Sequence, residues 1–170
     1  VDKALKILQD EGFTYKKEGA VWFKSTEFND DEDRVLVRSD GTPTYFLPDI
    51  AYHLDKFKRG FEKVIDIWGA DHAGYVKRLQ GAMTALGFGG NLDILIAQLV
   101  RLMKEGKEVR ISKRKGIFVT LEELVDEVGL DVARFFFLMH SLNTHMDFDL
   151  VLAKKRSEKN PVFYVQYAHA

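Results

Sequence analysis

A short basic stretch offers the first side chains that could do chemistry. Residues 107–119 read KEVRISKRKGIFV. The stretch contains Arg110, Ser112, Lys113, Arg114, Lys115 and Gly116. Cationic groups, a hydroxyl and backbone amides beside a glycine can hold a polyphosphate and stabilise negative charge as a bond to phosphorus breaks. The same composition also suits a solvated hairpin edge, where lysines deter aggregation. A P-loop is excluded, because the earlier glycine and the Gly-Lys-Ser/Thr order are missing.

Tyr45 and Asp49 form a second candidate site. They stand four residues apart where the sequence enters a predicted helix, so both side chains can face one side. A carboxylate and an aromatic ring suit a guanidinium group, which pairs with carboxylates and stacks on rings. The alternative is a tyrosine in the core and an acid in the first helical turn, where the helix dipole favours it.

Gly69, Asp71 and His72 follow an apolar run that reads as a buried strand. Asp71 could accept hydrogen bonds from a ribose diol, Gly69 would give a nucleotide close access to the backbone, and His72 could bind a sugar or phosphate oxygen. The alternative is a plain strand-to-helix turn in which Asp71 serves as the N-cap.

The amino-acid composition excludes several classes of protein. The 170 residues carry 25 Lys and Arg against 26 Asp and Glu, so no global field attracts nucleic acid or a membrane. The lack of cysteine excludes disulfides and thiol nucleophiles, as in many intracellular proteins. We expect no membrane partner, because no apolar run has membrane length. The acidic run 29–33 lacks an EF-hand spacing and the histidines lack paired ligands, so we predict a solvated loop and no metal site.

The elements that would position these side chains alternate along the middle of the chain. Predicted helices cover about 2–11, 48–58, 74–86, 120–128, 132–140 and 150–170, and predicted strands cover 13–17, 20–24, 34–38, 64–68 and 92–97, with a hairpin near 104–107. Strands that alternate with helices favour an α/β fold with a parallel sheet, in which ligands bind at the carboxyl ends of the strands. Because Val1 is not a start methionine and the chain stops within a predicted helix, we expect a fragment.

Several segments resemble a known family. Val109-Arg-Ile-Ser-Lys-Arg114 resembles the Lys-Met-Ser-Lys-Ser loop of class I aminoacyl-tRNA synthetases. Four further segments, residues 38–45, 45–53, 67–72 and 160–169, resemble arginyl-tRNA synthetases in the same order. The resemblance spans essentially the full chain. It implies that residues 1–148 are the second half of the Rossmann-like catalytic domain, with a β-hairpin insertion at about 13–38. Residues 149–170 would begin the helical anticodon-binding domain.

The resemblance also implies roles for single residues. Tyr45 and Asp49 match the positions that read the arginine side chain, while Gly69, Asp71 and His72 match the ATP site. Ser112 and Lys113 match the second half of the catalytic loop, whose lysine stabilises the transition state at the α-phosphate. Arg110 replaces the first lysine of that loop and keeps its charge.

The function implied by the resemblance is that of an arginine-tRNA ligase. The parent enzyme would use ATP and Mg²⁺ in the cytoplasm to form arginyl-adenylate and would transfer arginine to tRNA(Arg). No His-x-Gly-His spacing occurs among the five histidines, so we expect the fragment alone to be inactive. The alternative is a non-catalytic module that binds RNA or protein; the net charge of -1 argues against nonspecific RNA binding.

Overall fold

The protein forms two compact units, residues 1–96 and 97–170, in a computed structural model that describes residues 1–109 and 120–170. Each unit has its own hydrophobic core. The candidate catalytic residues Arg110, Ser112 and Lys113 lie outside the described residues. The domain boundary expected between residues 148 and 149 stays a prediction.

The first unit begins with a helix and a small antiparallel sheet. These elements are α1 (Asp2–Asp10), β1 (Thr14–Lys17), β2 (Ala20–Phe23) and β3 (Arg34–Val37), with the strands in the order β1-β2-β3. Glu18 and Gly19 both have positive φ, 53° and 78°, as a two-residue type I′ hairpin turn requires. This turn confirms the predicted hairpin, and β3 confirms the predicted third strand.

The acidic run between β2 and β3 is more than the solvated loop that we expected. The Asp30 side chain is only 1% exposed, and Arg34 Nε donates to its Oδ2 atom at 2.7 Å. Burial opposes ionisation of Asp30, but the hydrogen bonds from Arg34 outweigh it and hold the pKa of this carboxyl below its usual value. Asp33 accepts hydrogen bonds from Thr26 and Tyr15. Two carboxylates of the run thus hold the loop together.

The second half of the first unit alternates helices with strands. It contains α2 (Phe46–Lys58), β4 (Val64–Gly69), α3 (Val76–Ala85) and β5 (Leu92–Ala97). β4 and β5 are neighbours in a two-stranded sheet. Leu47, Ile50 and Leu54 of α2 repeat at helical spacing and are buried in the core of the unit. The opposite face of α2 is therefore available to line a site.

A 3-10 helix (Ala70–Tyr75) joins β4 to α3. The sequence predicted a single helix from about residue 74, but α3 begins only at Val76. Because the 3-10 turns are tighter than α-helical turns, they present the side chains of this segment in directions that an α-helical extrapolation would not give.

The described residues of the second unit form a mixed three-stranded sheet. Its strands are β6 (Val100–Lys104), β7 (Lys107–Glu108) and β8 (Met146–Asp149), in the order β7-β6-β8. β6 and β7 form the predicted hairpin, with Lys104 opposite Lys107. β8 pairs with β6 in parallel, with Val100 opposite Met146, and the sequence analysis did not find this strand.

In the described residues between β6 and β8, the chain forms two helices, α4 (Leu121–Val128) and α5 (Leu130–Leu138). α4 begins with a capping box: Thr120 Oγ1 accepts from the Glu123 amide at 3.1 Å, and the Thr120 amide donates to Glu123 Oε2 at 2.7 Å. Phe136 of α5 is buried and its ring lies 5.1 Å from that of Phe148. Phe136 therefore contributes to the core of the second unit.

The helix predicted over residues 150–170 is two helices, α6 (Leu150–Lys154) and α7 (Pro161–His169). Asn160 separates them: its side-chain amide donates to the carbonyls of Ala153 and Lys155 at 3.0 and 2.8 Å, while its Oδ1 accepts from the Val162 amide at 3.1 Å. Asn160 thus ends one helix and caps the next, and the proline that follows suits a first helical position.

Within residues 1–109 and 120–170, none of the helices has the length and apolar character needed to cross a membrane.

Candidate functional site

A pocket of about 530 Å³ lies in the first unit. Three elements supply its walls: α2 with the residue before it, the inner face of β4, and the 3-10 helix. The lining residues are Tyr45, Asp49, Tyr52, His53, Lys56, Asp66, Trp68, His72 and Tyr75. The candidate residues Tyr45, Asp49 and His72 are therefore brought together in one place, although they are up to 27 residues apart in sequence.

The residues of α2 that line the pocket recur at helical spacing and so lie on one face of the helix. Tyr45 is the residue before the helix, Asp49 lies in the first turn, and Tyr52 and Lys56 follow at intervals that keep one face toward the pocket. The Tyr45 side chain is 91% exposed, so the alternative of a core tyrosine is wrong. Asp49 is a first-turn acid and a pocket residue at once.

Asp66 is one of two carboxylates in the pocket, and its charge is used within the protein. His53 Nε2 lies 2.6 Å from Asp66 Oδ2, and Lys56 Nζ donates to Asp66 Oδ1 at 2.9 Å. Burial opposes the ionised form of Asp66, but the hydrogen bonds from His53 and Lys56 outweigh it and hold the pKa of Asp66 below its ordinary value. Asp66 is thus an anchor for its own neighbours and has little charge to offer a ligand.

The ring of His53 is fixed from its other side as well. His53 Nδ1 lies 2.8 Å from the Asp49 backbone oxygen. A carbonyl only accepts hydrogen bonds, so Nδ1 must carry a proton and donate. His53 is 3% exposed, and its two contacts join the first turn of α2 to β4.

Asp49 is the second carboxylate, and its surroundings differ. It forms no ion pair with a cation in the described parts of the chain. Four aromatic side chains line the same pocket, those of Tyr45, Tyr52, Trp68 and Tyr75. Rings around a carboxylate that lacks a cationic partner suit an organic cation, and a planar guanidinium can both stack on a ring and pair with two carboxylate oxygens.

Gly69, Asp71 and His72 occupy the turn after β4. Asp71 and His72 have highly exposed side chains, with 3.6 Å between His72 Nε2 and Asp71 Oδ2. The 3-10 helix begins at Ala70 with Gly69 in the N-cap position, so the alternative that Asp71 is an N-cap is wrong. A Cβ atom at Gly69 would lie 2.6 Å from Asp71 Oδ1, so the glycine leaves room for this carboxylate. Only His72 of the three also lines the pocket.

Sequence reasoning did not assign several pocket residues a role. Tyr52, His53 and Lys56 could have been found by continuing the helical spacing from Tyr45, and Asp66 by the alternation along β4. No sequence signal pointed to Tyr75, because its place depends on the 3-10 helix.

Metal ligands are not grouped in the part of the chain that the structure describes. No cluster of three or more His, Asp or Glu side chains there could hold a metal ion. We therefore assign no magnesium ligand to these residues.

The α/β architecture and a ligand pocket at the end of a strand are typical of nucleotide-binding enzymes. Comparison with known families makes the assignment specific: the chain belongs to the class I tRNA synthetase family. Its residues 1–147 match the family model described as tRNA synthetases class I (R), catalytic domain. A match to a catalytic domain gives no support to the alternative of a non-catalytic interaction module.

Curated relatives are arginine-tRNA ligases. The chain is 59% identical over 171 aligned residues to the enzyme of Desulforamulus reducens and 56% identical to that of Bacillus subtilis. The alignments cover 100% of this chain but only 30% and 31% of those proteins. The chain therefore spans about a third of the length of the relatives it matches.

Solved structures confirm the predicted α/β fold. A putative arginyl-tRNA synthetase from Campylobacter jejuni superposes with a TM-score of 0.89 at 42% identity, covering 99% of this chain and 37% of that one. The arginyl-tRNA synthetase of Thermus thermophilus superposes with a TM-score of 0.74 at 20% identity, covering 99% of this chain and 38% of that one. The second likeness concerns the fold alone.

Proposed function

We propose that this chain is the part of an arginine-tRNA ligase that holds the side chain of arginine and part of ATP. The observation that carries the proposal is the Asp49 carboxylate, which has no cationic partner among the described residues and shares its pocket with four aromatic rings. The similarity to arginine-tRNA ligases over the whole chain agrees with this choice of ligand.

In the proposed reaction the parent enzyme activates arginine and then transfers it. A carboxylate oxygen of arginine attacks the α-phosphorus of ATP, pyrophosphate leaves, and arginyl-adenylate forms. A terminal hydroxyl of tRNA(Arg) then attacks the activated carbonyl, and AMP leaves. The contribution of the pocket is positioning, since a substrate held by its side chain presents its carboxylate at a fixed place.

The phosphate end of the reaction is assigned to the turn after β4 and to the basic stretch. Asp71 and Gly69 would receive the ribose of ATP, with His72 between the nucleotide and the arginine pocket. Lys113, with Ser112 and Arg110, would stabilise the charge that develops on the α-phosphate. Magnesium would accompany the phosphates of ATP, and we assign no step to it. As in other ligases that serve translation, the site of action would be the cytoplasm.

The proposal predicts the result of removing the charge of Asp49. In the full-length ligase that carries this segment, we expect Asp49→Asn to lower kcat/KM for arginine by about 100-fold or more, because the guanidinium loses its ionic partner in the pocket. The KM for ATP should change little. ATP–pyrophosphate exchange at varied arginine and varied ATP measures both quantities.

Asp55→Asn is the matched control, since Asp55 lies on the same helix but is exposed and, among the described residues, pairs only with Arg59 at 3.3 Å. This variant should behave like the wild type. Equal losses for Asp49→Asn and Asp55→Asn would contradict the assignment of the pocket to arginine.

A further inference from the structure

Tyr75 carries a polar group that the proposed reaction does not yet use. Its hydroxyl is buried and has no hydrogen-bond partner among the described residues. Neighbours hold the ring on several sides: Phe46 packs edge-on at 5.8 Å, Trp68 lies at 5.8 Å, and the Arg78 guanidinium lies 5.0 Å from the ring centre. The direction of the hydroxyl is therefore set by packing.

A buried hydroxyl without a partner is costly, and native proteins seldom leave one unsatisfied. Solvent has almost no access to the Tyr75 oxygen, so a neighbouring side chain of the pocket is the partner to look for. Asp49 lines the same pocket. Burial and, after it, the negative charge of the nearby Asp49 raise the pKa of Tyr75.

The Asp49 side chain has freedom to meet this hydroxyl. Among the described residues no salt bridge holds its carboxylate, in contrast to Asp66, which His53 and Lys56 hold on both oxygens. An ionised carboxylate offers about four lone-pair sites. One hydrogen bond from a tyrosine therefore still leaves both oxygens able to accept from a guanidinium.

We propose that Tyr75 is a positioning residue for Asp49: its hydroxyl donates to the Asp49 carboxylate when a cationic side chain binds, and so fixes the carboxylate toward that ligand. This inference rests on the proposed function, because it assumes that Asp49 holds the arginine side chain. Tyr75 would thus help to select the substrate through Asp49, without contacting the substrate itself.

The test is Tyr75→Phe in the full-length ligase that carries this segment, since phenylalanine keeps the ring and removes only the hydroxyl. We expect the KM for arginine to rise about 10- to 100-fold, as for a lost hydrogen bond to a charged group. We expect kcat and the KM for ATP to stay within about twofold. The melting temperature of the ligand-free enzyme should stay equal or rise, because the variant removes an unsatisfied buried group.

Tyr15→Phe is the matched control, and we expect the opposite effects on melting temperature and on the kinetics with arginine. The Tyr15 hydroxyl donates to Asp33 at 3.0 Å and lies outside the pocket. This variant should lower the melting temperature slightly and leave the kinetics with arginine unchanged. A Tyr75→Phe enzyme that behaves in the same way would have lost a purely structural hydroxyl, and the inference would be wrong.

A double-mutant cycle tests whether Tyr75 acts through Asp49. In an Asp49→Ala background, Tyr75→Phe should change kcat/KM for arginine by less than about twofold, because the two residues share one interaction. A loss as large as in the wild-type background would show a role independent of Asp49 and overturn the inference.

The wild-type enzyme separates the two possible failures. If it does not catalyse arginine-dependent exchange, the proposed function is wrong. If it does, and Tyr75→Phe leaves the KM for arginine unchanged, only the inference about Tyr75 fails.

Discussion

Asp49 and Asp66 lie in one pocket, yet their neighbours give them different chemistry. Asp66 accepts hydrogen bonds from His53 and Lys56. Asp49 shares the pocket with aromatic rings, and its negative charge acts on the buried hydroxyl of Tyr75. A pocket with two unpaired acids would attract any cation. A pocket with one carboxylate between aromatic rings favours a flat cation over a compact, strongly hydrated ammonium group, which suits arginine better than lysine.

Gly69 offers a test of the nucleotide side of the site. Its backbone is in the ordinary extended region, with φ -65° and ψ 154°, so alanine fits the backbone. The added Cβ would lie 2.6 Å from Asp71 Oδ1 and must displace that carboxylate. If Asp71 binds the ribose, we expect Gly69→Ala to raise the KM for ATP about tenfold, as for a lost hydrogen bond to a charged group. Steady-state exchange kinetics on the full-length enzyme give this value.

Asp71→Ala provides the reference for that experiment. It should raise the KM for ATP by a similar factor, and Gly69→Ala should add nothing in the Asp71→Ala background. A further increase in the double variant would mean that Gly69 contributes to ATP binding by another route, such as direct approach of the nucleotide to the backbone.

The sequence predicted some residues of the site and missed others for a physical reason. Tyr45 and Asp49 were found because a helix places residues four apart on one side, a local rule. Asp66, Trp68 and Tyr75 join them only when β4 and the 3-10 helix pack beside α2. No spacing rule connects residues of three different elements, so the aromatic wall and the Asp66 anchor required the folded structure.

The connection between α2 and β4 depends on a small polar network. His53 and Lys56 of the helix meet Asp66 of the strand at 2.6 and 2.9 Å, and the three side chains are 4%, 15% and 13% exposed. Removing the shared carboxylate would leave two donors without their acceptor. This network therefore stabilises the pocket wall as well as the fold.

We expect Asp66→Asn to destabilise the chain by on the order of 1–3 kcal/mol at pH 7, because its buried partners lose a charged acceptor. The folded-state pKa of Asp66 is lowered, so its contribution is present above the unfolded value and is lost as the pH falls through the folded value. The contribution of Asp66 to the gap in stability between wild type and variant should thus decrease as the pH falls from about 5 to below about 4. Urea unfolding followed by circular dichroism across this range measures the gap.

The exposed pair of Asp55 and Arg59 on the same helix supplies the comparison. Asp55→Asn should change stability by less than about 0.5 kcal/mol at any of these pH values, as exposed ion pairs contribute little. If the gap between wild type and Asp66→Asn persisted unchanged at pH 3, the ionised carboxylate could not be its source.

Some helices and strands could be predicted from patterns within a few neighbouring residues, and others could not. The hairpin β1–β2, the helix α2 and the capping box of α4 follow from turn residues, apolar spacing and cap chemistry within a few residues of each other. β8 was harder to find: Met146–Asp149 alternates apolar and acidic residues, but four residues are too few for this alternation to be decisive, and the strand forms by pairing with β6, more than forty residues earlier. The break between α6 and α7 coincides with Asn160 and the proline after it, a local signal that the single predicted helix over 150–170 did not take into account.

The chain covers about a third of each curated relative that we compared. It holds the pocket and the turn after β4, and it lacks the His-x-Gly-His spacing that the resemblance leads one to expect in a complete site. We therefore predict that the isolated chain gives no ATP–pyrophosphate exchange with arginine, whereas the full-length ligase does. An enzyme lacking part of its phosphate-binding groups loses most of its electrostatic stabilisation of the transition state.

The experiment compares the isolated chain with the full-length enzyme at equal molar concentration, after circular dichroism has shown that the chain is folded. Exchange by the folded chain at more than a trace of the full-length rate would show that residues 1–170 already contain a complete activation site. The isolated chain can be titrated in parallel with non-hydrolysable arginyl- and lysyl-adenylate analogues, to ask whether the pocket selects arginine before the rest of the enzyme is added.

Both tryptophans of the chain lie in the first unit, Trp22 on β2 and Trp68 on β4. Trp68 lines the pocket and lies 5.8 Å from Tyr75, while Trp22 stacks with Tyr15 in the small sheet. Indole emission from this chain is therefore a native optical probe of one half of the molecule. With Trp22 replaced by phenylalanine, the remaining indole signal would come from the wall of the pocket that contains Asp49, so occupancy of this pocket could be followed without an attached dye.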